Sequence, residues 1–340
     1  MTRHFSSVHV EECRRIIREG SKSFYFASLM LPSQVRLAAT ALYAFCRVTD
    51  DVADEKGATR KSVARLVDRL DYAYAGDPYD HAADQAFSEV VSHFDIPYEV
   101  PRALIEGFEW DVAGKEYETL SDVIAYSARV AGTVGVMMSI VMGRRQPSTL
   151  ARACDLGLSM QLVNIARDVG EDARNGRLYL PGEWLREAGI DPKAFLKNPR
   201  FTPELGMVVK RLLKEAQGFY KRGMVGTGDL PVTCRPGIRA AGMVYAEIGE
   251  KVRENGYNSV DERAYTTRGR KLGLMLKSAG NSFEPEWGEQ AVIVPEVRFL
   301  IDAAAREHDE PFGDGEWVID LFSEMDRRDR AYLQSVRTGF

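Results

Sequence analysis

The sequence predicts an all-α fold in a single domain, and three observations lead there. Apolar residues recur at three- and four-residue spacing through almost all of the 340 residues. Helix starts and stops punctuate that pattern at Gly20, Pro32, Thr59, Gly176, Thr202 and Gly256. No segment alternates with period two convincingly enough to form one of several strands.

The elements follow in order. Val8 to Arg18 has helical spacing and stops at Gly20. Pro32-Ser33 opens a long helix from about Gln34 to Asp54, with the stripe Leu37, Ala41, Leu42, Phe45, Val48 and Val52. Thr59 caps a helix to about Ala75, and Asp80 caps one to about Phe94. Pro101 opens a helix ending near Gly114. Ser121 caps Asp122 to Met142, and Thr149 to Asn175 is one helix closed by Gly176. Thr202-Pro203-Glu204 starts the next, to about Lys221. Gly237 to Asn255 and Thr267 to Ala279 follow. Asn281 to Val294 is a loop, and Pro295 to His308 and Trp317 to Arg337 are amphipathic helices. There is no Pro/Gly/Ser linker and no repeat, so residues 1–280 form one domain with a helical extension, 281–340, packed on it.

Composition narrows the function. The chain is 45% apolar and 28% charged, an ordinary globular balance. A net charge of −5 speaks against a general nucleic-acid surface. The four cysteines show no CxxC and no metal spacing, which fits a reduced, cytoplasmic setting. Met1 to Glu12 has no secretory h-region. The longest apolar run, Val134 to Met142, falls short of the roughly 20 residues that span a bilayer.

Two aspartate pairs carry the chemistry. Asp50 and Asp54 lie four residues apart near the end of one helix, and Asp168 and Asp172 repeat that spacing on another. Each pair stacks two carboxylates on one helix face, where like charges destabilise. Hard oxygen donors with room for phosphate oxygens suit Mg²⁺, and two facing sites can hold a diphosphate between them. Tyr43 and Arg47 share the first face; Gln161 and Asn164 share the second, with Arg167 beside it. A solvated, ion-paired face is the plainer alternative for either pair. Between them, Gly132 and Gly135 serve either close helix packing or room for a ligand.

The runs Ser21 to Phe24, Tyr43 to Asp54, Tyr126 to Gly135 and Gln161 to Pro181 resemble the squalene/phytoene synthase family, in its order and spacing. The resemblance covers about residues 12–280 and is nearest to the family's bacterial phytoene-forming members. It implies an isoprenoid synthase fold with a central cavity between helices. It implies that Asp50, Asp54, Asn164, Asp168 and Asp172 hold Mg²⁺, with Mn²⁺ as the alternative, and that Gln161 supports this shell. Ser21, Lys22, Ser23, Arg47, Arg167, Arg263 and Lys271 match diphosphate-contacting positions, and Tyr43 and Tyr245 match tyrosines near the reacting carbons. The implied prenyltransferase reaction joins two geranylgeranyl diphosphates head to head and ends in proton loss, without NADPH, at the first committed step of carotenoid biosynthesis. Two farnesyl diphosphates are the rival substrates; a terpene cyclase fits less well because its paired acidic motifs do not stand in the flanking contexts of Asp50 to Asp54 and Asp168 to Asp172, and a non-catalytic scaffold because every expected ligand is present. Val130, Val134 and Met138 are the candidates for setting cavity depth. The face at Trp317, Leu321 and Phe322 either packs on the domain or meets a bilayer during product release.

Overall fold

The structure, a computed structural model, describes residues 7–54, 59–280 and 292–306. The described residues contain α-helices and short 3₁₀ and π turns, and no strand. The helices are α1 (Ser7–Gly20), α2 (Lys22–Ser28), α3 (Ser33–Asp54), α4 (Arg60–Tyr74), α5 (Ala82–His93), α6 (Glu99–Val112) and α7 (Leu120–Ser127). They continue with α8 (Thr133–Val141), α9 (Pro147–Arg174), α10 (Gly182–Glu187), α11 (Pro192–Lys197), α12 (Pro203–Gly226), α13 (Arg235–Glu254), α14 (Arg268–Gly280) and α15 (Arg298–Ala304).

Helix α9 is the central element. It packs along α12 and also meets α8, α13 and α15. Its register against α12 is set by a buried carboxylate: Asp155 accepts from Arg222 at 3.0 and 3.2 Å and pairs with Arg152 at 3.1 Å. An ion so placed has to be matched, because losing one partner of a buried pair costs about 3–5 kcal/mol. On the other side, Phe45 of α3 stacks on Phe87 of α5 with centroids 3.8 Å apart.

The predicted helix over 122–142 is α7 and α8 joined by a π turn, Ala128–Gly132. This turn and α8 press directly on α9. A Cβ on Gly157 would stand 2.5 Å from the Ala131 carbonyl oxygen, and one on Gly135 would overlap the Ala153 carbonyl. Both glycines therefore serve close helix packing. The stretch Leu120–Val141 is long and apolar enough to cross a membrane by length and composition, but most of it is buried inside the molecule. Its apolar character reflects a core position.

Several boundaries depart from the sequence expectation for local reasons. His81, not Asp80, caps α5: its Nδ1 accepts from Ala83 N at 3.2 Å, while Asp80 accepts from Gln85 at 3.3 Å. Thr119, not Ser121, caps α7 through a reciprocal pair with Asp122, at 3.2 and 2.8 Å. Ser121 instead donates to Glu296 at 2.5 Å. Helix α6 starts two residues before Pro101, which its first turn tolerates. Helix α12 runs on past Lys221 to Gly226. Helices α2, α10 and α11, six or seven residues each, are too short to show a periodic stripe.

The segment 292–306 lies against α6, α8 and α9, burying Val297, Leu300, Ile301 and Ala304. Arg306 ties its end down, with its N–H on Arg145 O at 3.3 Å and its guanidinium on Asp95 at 2.8 Å. Trp317 to Arg337 lies outside the described residues.

The Gly157 contact is testable against a second glycine. Gly157→Val should destabilise the protein by about 1–3 kcal/mol, since a side chain there meets backbone that cannot turn aside. Gly218→Ala on α12, where a Cβ meets nothing within 4 Å, should instead stabilise by up to about 1 kcal/mol. Urea unfolding of the two variants should shift the midpoint in opposite directions.

Candidate active site

The first half of the site is the C-terminal part of α3. Arg47 reaches forward one turn, pairing with Asp50 at 3.3 Å and with Asp51 at 2.5 Å. Tyr43 lies a turn behind Arg47, and burial pushes its hydroxyl up to about 12. The last residue of α1, Gly20, approaches so closely that a Cβ would stand 2.6 Å from the Tyr43 hydroxyl. Phe24 of α2 fills the space between two tyrosines, 6.0 Å from the Tyr43 ring and 5.6 Å from Tyr245 of α13. The side chain of Asp54 lies outside the described residues.

The second half is the C-terminal part of α9. Asp168 accepts two bonds from Arg167, at 2.8 and 2.5 Å, and a third from Arg263 at 2.8 Å. Burial pushes this carboxyl up, but the two guanidiniums outweigh it and hold the group below its ordinary range. Asp172, one turn on, has the opposite balance. Burial raises it first, and the negative charges of Asp168 and Glu171 add to that against the pull of Arg177, bringing it to about 8. One turn before Asp168, Asn164 donates to Gln161 at 3.3 Å. Its Oδ1 is buried with no hydrogen-bond partner among the described residues. Glu171 is exposed, as its position off this face implies.

Arg263 is brought in by a backbone contact. The loop after α13 docks on α9 at Gly170, whose N–H donates to Ser259 O at 2.9 Å. A Cβ on Gly170 would overlap the backbone of Val260, so only glycine admits this approach. Arg174 donates to Val260 O at 3.1 Å and holds the loop from the other side. Arg263 then reaches Glu171 at 3.2 Å as well as Asp168.

The cations gather nearby. Burial lowers the Lys271 ammonium, and the positive charges of Lys22 and Arg167 lower it further, so α2, α9 and α14 direct cations at one region. Ser21 caps α2 by accepting from Phe24 N at 3.3 Å, which orients the first turn that carries Lys22 and the half-buried Ser23. Arg177 donates to Ala53 O at 3.5 Å and so links the α9 end of the site to the α3 end. Val130, Val134 and Met138 are half-buried at four-residue spacing against the main core.

Asp111 is a residue that the sequence reading passed over. It accepts from Tyr126 at 2.8 Å and from Tyr179 at 2.7 Å, and its charge contributes to raising Asp172. The rings of Tyr126 and Tyr179 are stacked 4.8 Å apart, with Tyr117 beside them. Helices α6 and α7 and the loop after α9 meet only in three dimensions here, and no motif spacing announces Asp111.

The donor set fits a divalent cation. It offers carboxylates, an unpartnered buried amide oxygen, and a carboxyl whose proton is held by burial and by neighbouring negative charge. No three acidic, histidine or cysteine side chains among the described residues form a closed cage. Open half-sites of this kind need further oxygens from a ligand, which is how Mg²⁺ usually binds phosphates.

Comparison with known proteins places this architecture. Residues 17–270 match the squalene/phytoene synthase family model. A phytoene synthase of Rhodobacter capsulatus is 50% identical over 329 residues, 94% of this chain and 97% of that one. A 15-cis-phytoene synthase of a Paracoccus species is 43% identical, covering 76% of this chain and 87% of that one. A crystal structure of a dehydrosqualene synthase with bound ligand superposes with a TM-score of 0.74 at 29% identity, over 80% of this chain and 95% of that one. With its two carboxylate-bearing helix ends and the family's sequence over most of its length, the chain belongs to the squalene/phytoene synthase family.

Proposed function

We propose that this protein is a phytoene synthase: a prenyltransferase that joins two geranylgeranyl diphosphates head to head, through a cyclopropylcarbinyl diphosphate, and releases diphosphate. Members of the family use prenyl diphosphates and typically depend on a divalent metal. The choice of substrate rests on relatives named phytoene synthase that are 50% and 45% identical over nearly the whole chain. The carboxylates at the ends of α3 and α9, with cations on α2, α9 and α14, support the diphosphate chemistry.

Asp50, Asp54, Asn164, Asp168 and Asp172 would hold Mg²⁺, with Gln161 orienting Asn164. The bound metal neutralises charge on the departing diphosphate and makes it a better leaving group. Lys22, Arg167 and Lys271 bind diphosphate oxygens, and Ser21 and Ser23 orient the turn that presents Lys22. Arg47 and Arg263, now on carboxylates, add guanidinium forks suited to phosphate. Tyr43 and Tyr245 offer aromatic faces to an allylic cation, and Phe24 between them excludes water. The reaction ends in proton loss, and NADPH has no part in it.

Joining two farnesyl diphosphates is the second reading, favoured by the dehydrosqualene synthase superposition. The apolar product suits a cytoplasmic enzyme that touches the bilayer peripherally, and Leu272 and Leu276 are exposed one turn apart on α14.

Incubation of the purified protein with geranylgeranyl diphosphate and Mg²⁺, without NADPH, should yield phytoene in the organic extract. Turnover of farnesyl diphosphate alone would move the protein to the squalene-type branch. Asp50→Ala and Asp168→Ala should each lower turnover by about 10³-fold or more while circular dichroism and thermal unfolding keep a folded profile. Full activity in either variant would remove the metal assignment. The raised Asp172 makes a third expectation. Its contribution to stability is fully present below about 3.8 and is lost as pH rises through about 8, so the metal-free protein should lose thermal stability between pH 6 and pH 9. Mg²⁺ must displace that proton at low pH, so the Mg²⁺-dependent rise in Tm should be larger at pH 9 than at pH 6. In Asp172→Asn this component of the pH trend should vanish.

A further inference from the structure

A second concavity lies apart from the site, between α12, α13 and α14 with part of α9 as its floor. Its volume is about 720 Å³, and none of the site carboxylates lines it. Val163, Leu213, Tyr220, Met243 and Leu274 make an apolar base, and Met207 at the edge is 61% exposed. The rim is cationic, with six Lys and Arg side chains against two carboxylates, Glu247 and Glu250. Those two glutamates are already matched by Arg270 and Arg253, at 2.8 and 2.6 Å. Lys210, Lys214 and Lys277 carry no ion pair among the described residues. A groove with an apolar base and surplus positive charge suits an amphipathic helix with an acidic edge.

The chain contains such a segment. Residues 307–326 hold eight Asp and Glu and no Lys or Arg. Within them Trp317, Val318, Leu321, Phe322 and Met325 recur at helical spacing, and Glu316, Asp320 and Glu324 form a stripe along one side of that apolar face. The reach is sufficient. Arg306 is fixed at Arg145, two residues before α9 begins, and Ser159 in the groove lies twelve residues along α9, about 18 Å away at the helical rise. Residues 307–315 span up to about 30 Å when extended.

We propose that residues 316–326 occupy this groove as a helix, with the apolar face down and Glu316, Asp320 and Glu324 against Lys210, Lys214 and Lys277. The segment then covers Met207 and braces α14 against α12. This occupancy is independent of which prenyl diphosphate the enzyme uses.

The test is photo-crosslinking in the full-length protein with p-benzoylphenylalanine in place of Phe322, followed by peptide mapping. Intramolecular crosslinks within 203–226 or 235–280 are expected. Lys210→Glu combined with Lys214→Glu should lower their yield at least about threefold, and adding Glu316→Lys with Asp320→Lys should restore it. Lys210 and Lys214 line the groove and not the carboxylate site, so circular dichroism and prenyl diphosphate turnover serve as the check that each variant is folded. Crosslinks elsewhere on the chain, a crosslinked dimer, adducts formed only with anionic phospholipid vesicles, or a yield indifferent to the charge reversals would each overturn the proposal.

Discussion

Two carboxylates one turn apart in a mostly buried part of α9 are the constraint on which the site depends. Asp168 and Asp172 cannot both carry charge there without help, because burial and mutual repulsion act in the same direction. The fold treats them differently. Asp168 takes two guanidiniums and stays ionised, while Asp172 is left with negative neighbours and holds its proton to about 8. Meeting that demand recruits distant chain: Arg263 arrives only because the loop after α13 lies flat on Gly170, and Arg177 reaches across to Ala53 at the end of α3. The ends of the two aspartate-bearing helices are thus tied together by a residue just beyond α9, the same one whose charge pulls against the raised Asp172.

Much of this was legible in the chain, and the failures share one cause. Period and spacing located α3, α9, α12 and α13 and put Arg47 on the face of Asp50, because those relations lie within one helix. The same reasoning set Asn164 beside Gln161, where the structure has a 3.3 Å hydrogen bond. It could not find Asp111, whose two tyrosine partners come from α7 and the loop after α9. Caps erred for a related reason. Asp80 and Ser121 are good capping residues, but His81 and Thr119 had the required geometry, and Ser121 was drawn to Glu296, 175 residues away in the chain. Resemblance to a family supplied Arg263 and Lys271, which no local pattern would have placed at the site.

On the proposed function, Arg167 and Arg263 serve two electrostatic states with one set of charges. A guanidinium fork matches a carboxylate and a phosphate equally well. Without substrate the forks neutralise Asp168 and keep the buried helix end stable. Once its charge is balanced in another way, the same forks are available to phosphate oxygens at the same place. The site is thus stable when empty without being closed, and the ion pairs that stabilise it are ones that substrate binding can exchange.

The cation on α14 adds a mechanical element. Lys271 stands by the cations of α2 and α9, and among the described residues α14 rests mainly on α13, with Leu272 and Leu276 exposed on its outer side. Elements with little buried apolar contact open most readily, and ligand-binding segments are commonly drawn from them. Among the described residues, Asp168 sits on a helix with a long buried face, whereas α14, which carries Lys271, buries Leu274 and Ser278. On the proposed function, carboxylates on a well-buried helix with a cation on a less covered one suit a site that a diphosphate enters and leaves.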